Sequence, residues 1–136
     1  MSGTILTEID NGVGIITLNR ADRHNAFDDA LIQELTTALV RMDTDVDIRV
    51  VVLSSTGKSF CAGADLNWMK RAAGFSAEET QRDALALAGL LRMLNDMKKP
   101  TVARVQGPAY GGGVGLVAAC DIAIAAFDAQ FALTEV

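Results

Sequence analysis

GPAYGGGVGLVAACD, residues 107–121, places three consecutive glycines between a β-prone run and a run of small apolar residues. Residues 101–105 predict a strand before the glycines, and residues 114–120 predict a helix after them. The first N–H groups of a helix have no partner within the helix and lie at the positive end of its dipole. Glycine also lacks the Cβ that would keep a ligand away. The turn is therefore a candidate site for an anion, or for a carbonyl oxygen that becomes one.

Strand and helix patterns alternate along the rest of the chain. Asn11-Gly12 lies between two β-prone runs and predicts a hairpin, because this dipeptide accepts the positive φ angles of such turns. Asp28 or Asp29 is expected to cap one helix, and SAEE at residues 76–79 predicts a capping box on another. The predicted strands are 4–9, 13–18, 48–53, 101–105, 122–126 and a last one from 130, and the predicted helices are 29–43, 66–73, 77–97 and 114–120.

This alternation predicts an α/β fold with buried, largely parallel strands. A chain of 136 residues, half of them apolar, can bury a core, so we expect a single domain over 1–136.

The net charge of −5 argues against broad nucleic-acid binding. No run approaches the roughly 18 apolar residues of a membrane span, so we expect a soluble, cytoplasmic protein. Cys61 and Cys120 lie among small apolar residues, which favours reduced, buried thiols over a disulfide.

Two glycine patterns invite comparison with nucleotide-binding motifs. Gly57-Lys58-Ser59 matches the end of a phosphate loop, but Val52 stands where that loop needs its first glycine. Residues 113–118 fit the dinucleotide pattern G-x-G-x-x-A, and Glu135 lies 20 residues beyond Gly115. That acid should end the next strand, whereas here it falls on the one after. A dinucleotide site and purely structural close packing of the glycines remain as alternatives.

A second loop, SFCAGADLNWM at residues 59–69, follows the strand predicted at 48–53 just as the glycine turn follows its own strand. In parallel α/β sheets, loops at the carboxyl ends of neighbouring strands meet in one crevice. We therefore expect the two loops to meet and to direct two backbone N–H groups at one oxygen atom.

Together these motifs resemble the crotonase family, the enoyl-CoA hydratases and isomerases. The resemblance spans nearly the whole chain and rests on Asn19-Arg20, Asn25-Ala26, FCAGADL at 60–66, Gly107, GGG at 111–113, ACD at 119–121, and Phe131 with Glu135. It implies a crotonase-type spiral of ββα units that corresponds to the N-terminal half of a family member, with the C-terminal helical part absent. It also implies a homotrimer or a dimer of trimers, with an inactive fragment as the alternative.

The resemblance implies an oxyanion hole for the thioester carbonyl of an acyl-CoA. By motif position, its two N–H groups belong to Ala64, which follows Ala62-Gly63, and to Gly112, the middle glycine of the turn. Preorganised donors of this kind stabilise the charge of an enolate by roughly 3 to 4 kcal/mol each. Because the donors are backbone groups, the side chains at these positions need only be small.

The resemblance also places further residues along the bound acyl-CoA: His24, Ala26, Ala62, Asp65, Leu66, Tyr110, Gly115 and Thr134. His24 is the only histidine, and its polar loop is more typical of a surface or CoA-contacting side chain than of a catalyst. Arg20, Arg23 and Lys70 would add local positive charge for the CoA phosphates, with ordinary solvated side chains as the alternative. We expect no metal, and no cofactor apart from the CoA of the substrate itself.

The acid–base residues depart from the family pattern. Family hydratases place one glutamate three residues after the oxyanion glycine, but here that position is Gly115, so Glu135 is the predicted catalytic carboxylate. Its apolar neighbours are expected to raise its pKa toward the range useful for proton transfer. The presence of a single glutamate resembles the pattern of the Δ3,Δ2-enoyl-CoA isomerases. The sequences of both loops instead resemble those of bacterial hydratases that act on 3-methylglutaconyl-CoA. We favour a hydratase that adds water to a 2-enoyl-CoA, with the isomerase as the alternative.

Overall fold

The computed structural model describes residues 3–134, which form a five-stranded sheet, a two-stranded sheet and four α-helices. The strands are β1 (Ile5–Asp10), β2 (Val13–Leu18), β3 (Val50–Ser55), β4 (Thr101–Val105), β5 (Ala109–Tyr110), β6 (Ile122–Ala125) and β7 (Phe131–Ala132). The helices are α1 (Asp29–Thr44), α2 (Leu66–Ala72), α3 (Ala77–Asn95) and α4 (Gly112–Ala119), with a short 3-10 helix at Ala21–Arg23.

The larger sheet has the strand order β1-β2-β3-β4-β6. The pair β1 and β2 is antiparallel, and every other neighbouring pair in this sheet is parallel. The predicted α/β class with largely parallel strands is therefore confirmed. None of the helices in the described part of the chain combines the length and the apolar character that crossing a bilayer would require.

Local sequence signals explain the hairpin and the helix starts. Asn11 and Gly12 have φ angles of 52° and 85° in the turn between β1 and β2, as an Asn-Gly hairpin requires. Asp28 caps α1 by accepting a hydrogen bond from a backbone N–H of its first turn. Ser76 and Glu79 make both bonds of a capping box on α3. These three predictions are confirmed.

The core lies on one face of the larger sheet. Helix α1 packs against β1 and β2 and against α3, which in turn contacts α4. The strand residues on this face are almost fully buried, and they include Ile16, Leu18, Val51, Leu53, Ala103 and Val105. They belong to one cluster with apolar residues of α1, namely Leu31, Leu35, Leu39 and Met42.

The opposite face of the sheet is only partly buried. Val52 of β3 and its neighbour Val102 of β4 are half-buried, and Arg104 on the same face is exposed. We expected crossover helices to bury the strand after residue 48 on both faces, and this expectation is wrong. Burial alternates from Val50 to Leu53, because Val51 and Leu53 belong to the core cluster and Val50 and Val52 do not. On the opposite face of β3 only Ser54 is buried, with 7% exposure.

The last strands are the least buried part of the fold. β6 lies at the edge of the larger sheet, and Ile122 and Ile124 are 53% and 63% exposed, so the predicted buried strand at 122–126 is wrong in its burial. β5 pairs in parallel with β7 to form the second sheet. No sequence pattern predicts β5, because it consists of two residues next to a glycine run.

The starts of β3 and α4 each differ by two residues from the sequence prediction. β3 begins at Val50 rather than at residue 48, because the Ile48 N–H donates to the Asp45 carbonyl at 3.1 Å in a turn. The Ile48 side chain still belongs to the core, with 3% exposure. α4 begins at Gly112, two residues before its predicted start, so the helix includes part of the glycine run.

Candidate active site

Two segments meet beside the larger sheet: the Ala64 loop (residues 59–65) and the glycine turn (residues 107–113). The Cys61 N–H donates to the Pro108 carbonyl oxygen at 3.3 Å, and the Cys61 carbonyl accepts the Tyr110 N–H at 2.9 Å. Backbone hydrogen bonds therefore fix the two segments to each other. The predicted meeting of the two loops is confirmed.

The two segments can approach this closely because they meet at glycine residues, which have no Cβ atom. Gly63 has a φ angle of 91°, and a Cβ there would lie 2.9 Å from the Tyr110 carbonyl oxygen and 3.5 Å from the Gly112 nitrogen. A Cβ on Gly113 would overlap the Cys61 carbonyl oxygen. Part of the glycine run therefore serves close packing, while Gly63 and Gly112 become direct neighbours.

Ala64 and Gly112 each have a backbone N–H without an acceptor in the described part of the chain. Gly112 is the first residue of α4, where a helix N–H has no partner within the helix. The bridge between Ala64 and Phe27 uses the N–H groups of Phe27 and Asp65, in two bonds of 2.8 Å, and leaves that of Ala64 unused. Two such donors on adjacent segments can hold one oxygen atom that gains negative charge.

Asp65 ends the Ala64 loop and caps α2, and it is 4% exposed. One carboxylate oxygen accepts the N–H groups of Asn67 and Trp68 at 2.8 and 3.2 Å, and the other lies 3.2 Å from the Arg20 guanidinium. Burial alone would raise the pKa of Asp65. The two backbone hydrogen bonds and the charges of Arg20 and Arg23 outweigh burial and hold this pKa below its ordinary value. The carboxylate is charged and is engaged in the fold.

Arg20 joins the starts of two helices. Besides Asp65, its guanidinium lies 3.4 Å from Asp28, the cap of α1, and its side chain is only 17% exposed. The expectation that Arg20 supplies charge to CoA phosphates therefore finds no support, because this guanidinium is used inside the protein. Arg23 and Lys70 are exposed and keep that expected role.

A cavity of about 390 Å³ opens beside the Ala64 loop. It is lined by Asp22, Arg23, His24, Ala26, Ala62, Ala64, Asp65 and Leu66, six of which are predicted site residues. The His24 side chain is exposed, and its Nδ1 lies 3.0 Å from the Ser59 hydroxyl. The structure thus brings together the predicted site residues of the 3-10 turn and the Ala64 loop.

Both cysteines are free thiols, so the predicted absence of a disulfide is confirmed. Burial raises the pKa of Cys61 to about 11, although a hydrogen bond with the Gly63 backbone opposes the shift. Burial also raises the pKa of Cys120 to about 11, against a hydrogen bond from Thr101 and with the help of the Asp121 charge. Both thiols are protonated at neutral pH, and neither is an activated nucleophile.

The family profile described as Enoyl-CoA hydratase/isomerase matches residues 8–136. The chain belongs to the enoyl-CoA hydratase/isomerase family. A solved enoyl-CoA hydratase from Shewanella pealeana is similar in fold, with a TM-score of 0.92 and 40% sequence identity. The match covers 95% of this chain and 49% of that chain, which supports the predicted crotonase-type architecture.

Relatives in the enoyl-CoA hydratase/isomerase family differ in their named reactions. The (E)-benzylidenesuccinyl-CoA hydratase of Thauera aromatica is 38% identical over 133 residues, which are 97% of this chain and 50% of the relative. The peroxisomal Delta(3,5)-Delta(2,4)-dienoyl-CoA isomerase of Arabidopsis thaliana is 32% identical in a match that covers 93% of this chain and 49% of the relative. This chain spans about half the length of the relatives that it matches.

Three further predicted site residues, Tyr110, Gly115 and Thr134, do not line the cavity. Tyr110 is half-buried on β5, and its carbonyl lies next to Gly63. Thr134 is exposed shortly after β7. Glu135, the predicted catalytic carboxylate, lies outside the residues that the structure describes, and its role stays a prediction.

Gly115 lies on α4 and faces α3. A Cβ at this position would lie 3.5 Å from both methyl carbons of Leu91. A dinucleotide fingerprint needs space at its second glycine for the pyrophosphate, and here Leu91 borders that space. The dinucleotide alternative therefore finds no support in the turn, while the predicted contact of Gly115 with the acyl group stays a prediction.

Asn25 is a structural anchor of the site for which the sequence indicates no role. It is fully buried with a φ angle of 55°, and its Nδ2 donates to the carbonyls of Thr56 and Ser59 at 2.7 and 3.0 Å. Its Oδ1 accepts a hydrogen bond from the backbone N–H of Arg20 at 2.8 Å. Two signals were available: asparagine is among the few residues that enter the left-handed region readily, and Asn25 stands in one of the motifs that carry the resemblance.

Proposed function

We propose that the Ala64 loop and the glycine turn form an oxyanion hole for the thioester of a 2-enoyl-CoA, and that the protein adds water to its double bond. The observation that carries the proposal is the junction of Gly63 with Gly112. Beside it, the N–H groups of Ala64 and Gly112 lack acceptors among residues 3–134. Membership of the enoyl-CoA hydratase/isomerase family supports the same chemistry.

Hydration of a conjugated thioester places negative charge on the thioester oxygen. As the oxygen of water bonds to C3, the π electrons of the C2–C3 bond move toward the carbonyl, and an enolate forms. Donors that are fixed before the reaction stabilise this oxyanion more than the neutral carbonyl, by roughly 3 to 4 kcal/mol per donor. The proposed hole therefore lowers the barrier of the step that forms the enolate.

Glu135 is the proposed base. It takes one proton from water, and C2 receives one proton when the enolate collapses, so that one water molecule is added in all. The chain just before it supports this role, because β7 runs parallel to β5 and the Gly111 N–H donates to the Ala132 carbonyl at 2.9 Å. Gly115 supplies no acid, so we propose that a substrate carboxylate or another side chain assists the protonation.

The cavity beside the Ala64 loop is the proposed place for part of the CoA moiety. Ala26 and Ala62 leave room there, and the exposed Arg23 brings positive charge near the phosphates. His24 contributes a polar contact at the cavity rather than a catalytic group. CoA enters as part of the substrate, so no separate cofactor is proposed.

The acyl group and the assembly are finer parts of the proposal. The resemblance of both loops to bacterial hydratases supports 3-methylglutaconyl-CoA or a related branched enoyl-CoA as the substrate. Gly115 and the isomerase among the relatives support a second candidate, a Δ3,Δ2-enoyl-CoA isomerase in which one carboxylate moves a proton from C2 to C4. A homotrimer or dimer of trimers is proposed from the resemblance alone, and a cytoplasmic location is proposed from the sequence pattern.

Substrate turnover and CoA binding together test the proposal. We expect the purified protein to remove the conjugated thioester absorbance of crotonyl-CoA or 3-methylglutaconyl-CoA, and Glu135→Gln to lose turnover while keeping its affinity for CoA in calorimetric titration. Conversion of a 3-enoyl into a 2-enoyl thioester without hydration would favour the isomerase. Binding of NAD without binding of CoA would refute acyl-CoA chemistry, and no binding of either would favour an inactive fragment.

A further inference from the structure

We propose that Phe27 is a positioning residue of the oxyanion hole, which sets the Ala64 N–H through its backbone and the Gly112 N–H through its ring. This inference rests on the proposed function. Phe27 is 2% exposed and directly precedes the cap of α1. It is neither a predicted substrate contact nor part of the cavity lining.

The backbone of Phe27 fixes the Ala64 side of the hole. Its N–H donates to the Gly63 carbonyl and its carbonyl accepts the Asp65 N–H, each at 2.8 Å. These two bonds hold the residues on both sides of Ala64 in a parallel bridge. The direction of the Ala64 N–H is therefore set by the position of one neighbouring residue.

The ring of Phe27 supports the Gly112 side of the hole. A Cβ built on Gly112 would overlap the Phe27 Cζ and would lie 3.0 Å from its Cε1, so the ring edge lies directly against the Gly112 backbone. On its other side, the ring meets Trp68 in an edge-on contact with 6.3 Å between the ring centroids. The Trp68 Nε1 donates to Asp83 of α3 at 3.1 Å. The ring is thus held between the glycine turn and a tryptophan that is itself anchored.

Phe27 therefore couples the two donors, which come from distant parts of the sequence. A smaller side chain would leave space beneath Gly112, and the start of α4 would shift relative to the Ala64 loop. A displacement of about 1 Å in a catalytic group costs on the order of 100-fold in rate. We expect Phe27→Leu to lower kcat by 10- to 100-fold, within that estimate, and to leave CoA affinity within about twofold, because the cavity residues are untouched.

Polarisation of a bound chromophoric substrate separates positioning from stability. When 4-dimethylaminocinnamoyl-CoA binds an oxyanion hole, its absorbance moves to longer wavelength as the carbonyl is polarised. We expect Phe27→Leu to reduce this red shift and Trp68→Phe, which removes only the outer support of the ring, to reduce it less. Leu39→Ala is the matched control. It removes a buried side chain of α1 from the core and lowers the stability of the protein, but it does not contact the N–H groups of Ala64 and Gly112.

The outcomes distinguish this inference from the proposed function beneath it. A full red shift and unchanged kcat in folded Phe27→Leu would overturn the positioning role. A reduced red shift in Leu39→Ala as large as that in Phe27→Leu would also overturn it, because loss of stability alone would then explain the effect. If the wild-type protein neither shifts the absorbance of the probe nor turns over an enoyl-CoA, the proposed oxyanion hole itself is refuted. If Phe27→Leu does not fold, the red shift and kcat of Trp68→Phe are compared with those of Leu39→Ala instead.

Discussion

The Ala64 loop and the glycine turn present one N–H group each, but different forces hold them in place. The Ala64 loop is fixed by charge and side-chain hydrogen bonds, from Asp65 and Arg20 at one end and from Asn25 at the other. The cap of α4 in the glycine turn has no side-chain hydrogen bond, and this segment rests against Phe27 and Cys61 instead. Beyond the backbone hydrogen bonds that hold both segments, polar side chains therefore support the Ala64 donor, and close packing supports the Gly112 donor.

Adding one methyl group to the glycine turn should have the largest effect. In Gly113→Ala the new Cβ overlaps a backbone carbonyl of the Ala64 loop, which cannot rotate away as a side chain can. We expect a loss of about 3 kcal/mol in the free energy of unfolding. Turnover should fall on the order of 100-fold, because the two donors separate. Urea denaturation and the hydration assay measure the two effects.

Gly115→Ala is the control for this substitution, because the same methyl group meets Leu91 at an ordinary distance of 3.5 Å. Alanine also favours a helix over glycine by up to about 1 kcal/mol. We expect the stability of Gly115→Ala to equal or exceed that of the wild type. Equal losses in both variants would show that the glycine turn is not held by close contact.

Removing the charge that holds the Ala64 loop should have the next largest effect. Arg20→Met leaves the buried Asp65 carboxylate without its counter-ion and should lower the free energy of unfolding by about 2 kcal/mol. Arg71→Met breaks an ion pair whose side chains are half-exposed, and it should cost less than about 1 kcal/mol. Chemical denaturation of both variants compares them directly, and similar losses would argue against a special role for Arg20.

Acid should weaken the Ala64 loop through Asp65. Because the folded pKa of Asp65 is lowered, its carboxylate contributes stability that is present above the unfolded pKa of about 3.9. This contribution is lost as the pH falls through the folded pKa. The difference in the free energy of unfolding between the wild type and Asp65→Asn, measured by urea denaturation, should therefore become smaller as the pH is lowered from neutral to about pH 3. A difference that does not change with pH would contradict the prediction.

The smallest effect should appear in the reactivity of the two thiols. With pKa values raised to about 11, about one thiol in a thousand is ionised at pH 8, so alkylation of the folded protein should be slow. Cys61 is fully buried between the two segments, whereas Cys120 is half-buried after α4. Mass spectrometry after iodoacetamide treatment should find Cys120 modified first. The reverse order would mean that the Ala64 loop opens more readily than α4.

Features encoded within a few residues could be predicted from the sequence. Asn11-Gly12 specifies its hairpin, and Ser76 with Glu79 specifies a helix start, because each turn or cap is made by neighbouring groups. The meeting of the two loops could also be predicted, since parallel strands place their carboxyl ends at one edge. The cluster of predicted site residues around the cavity has another origin, because it joins the Ala64 loop to the segment of His24 and Ala26, where the Ala62 N–H donates to the His24 carbonyl at 3.0 Å.

Features that depend on distant partners could not be predicted. β5 exists because β7, more than 20 residues later, runs beside it. Arg20 looked like a ligand for phosphate, but two carboxylates from separate helices enclose it. Phe27 carries no polar group, so no pattern marks its contact with Gly112. The half-exposed sheet face was missed because β-branched runs look alike whether one face or both are covered.

The position of Arg20 between Asp28 and Asp65 has a consequence for local unfolding. Each carboxylate uses one oxygen to cap its own helix and the other to contact the shared guanidinium. If the first turn of α2 frays, the cap of α1 loses part of its electrostatic support, and the reverse also holds. Amide protons in the first turns of both helices should therefore exchange with solvent together, as one cooperative unit. The Ala64 loop, which ends at the Asp65 cap, should then open together with the first turn of α1 rather than on its own.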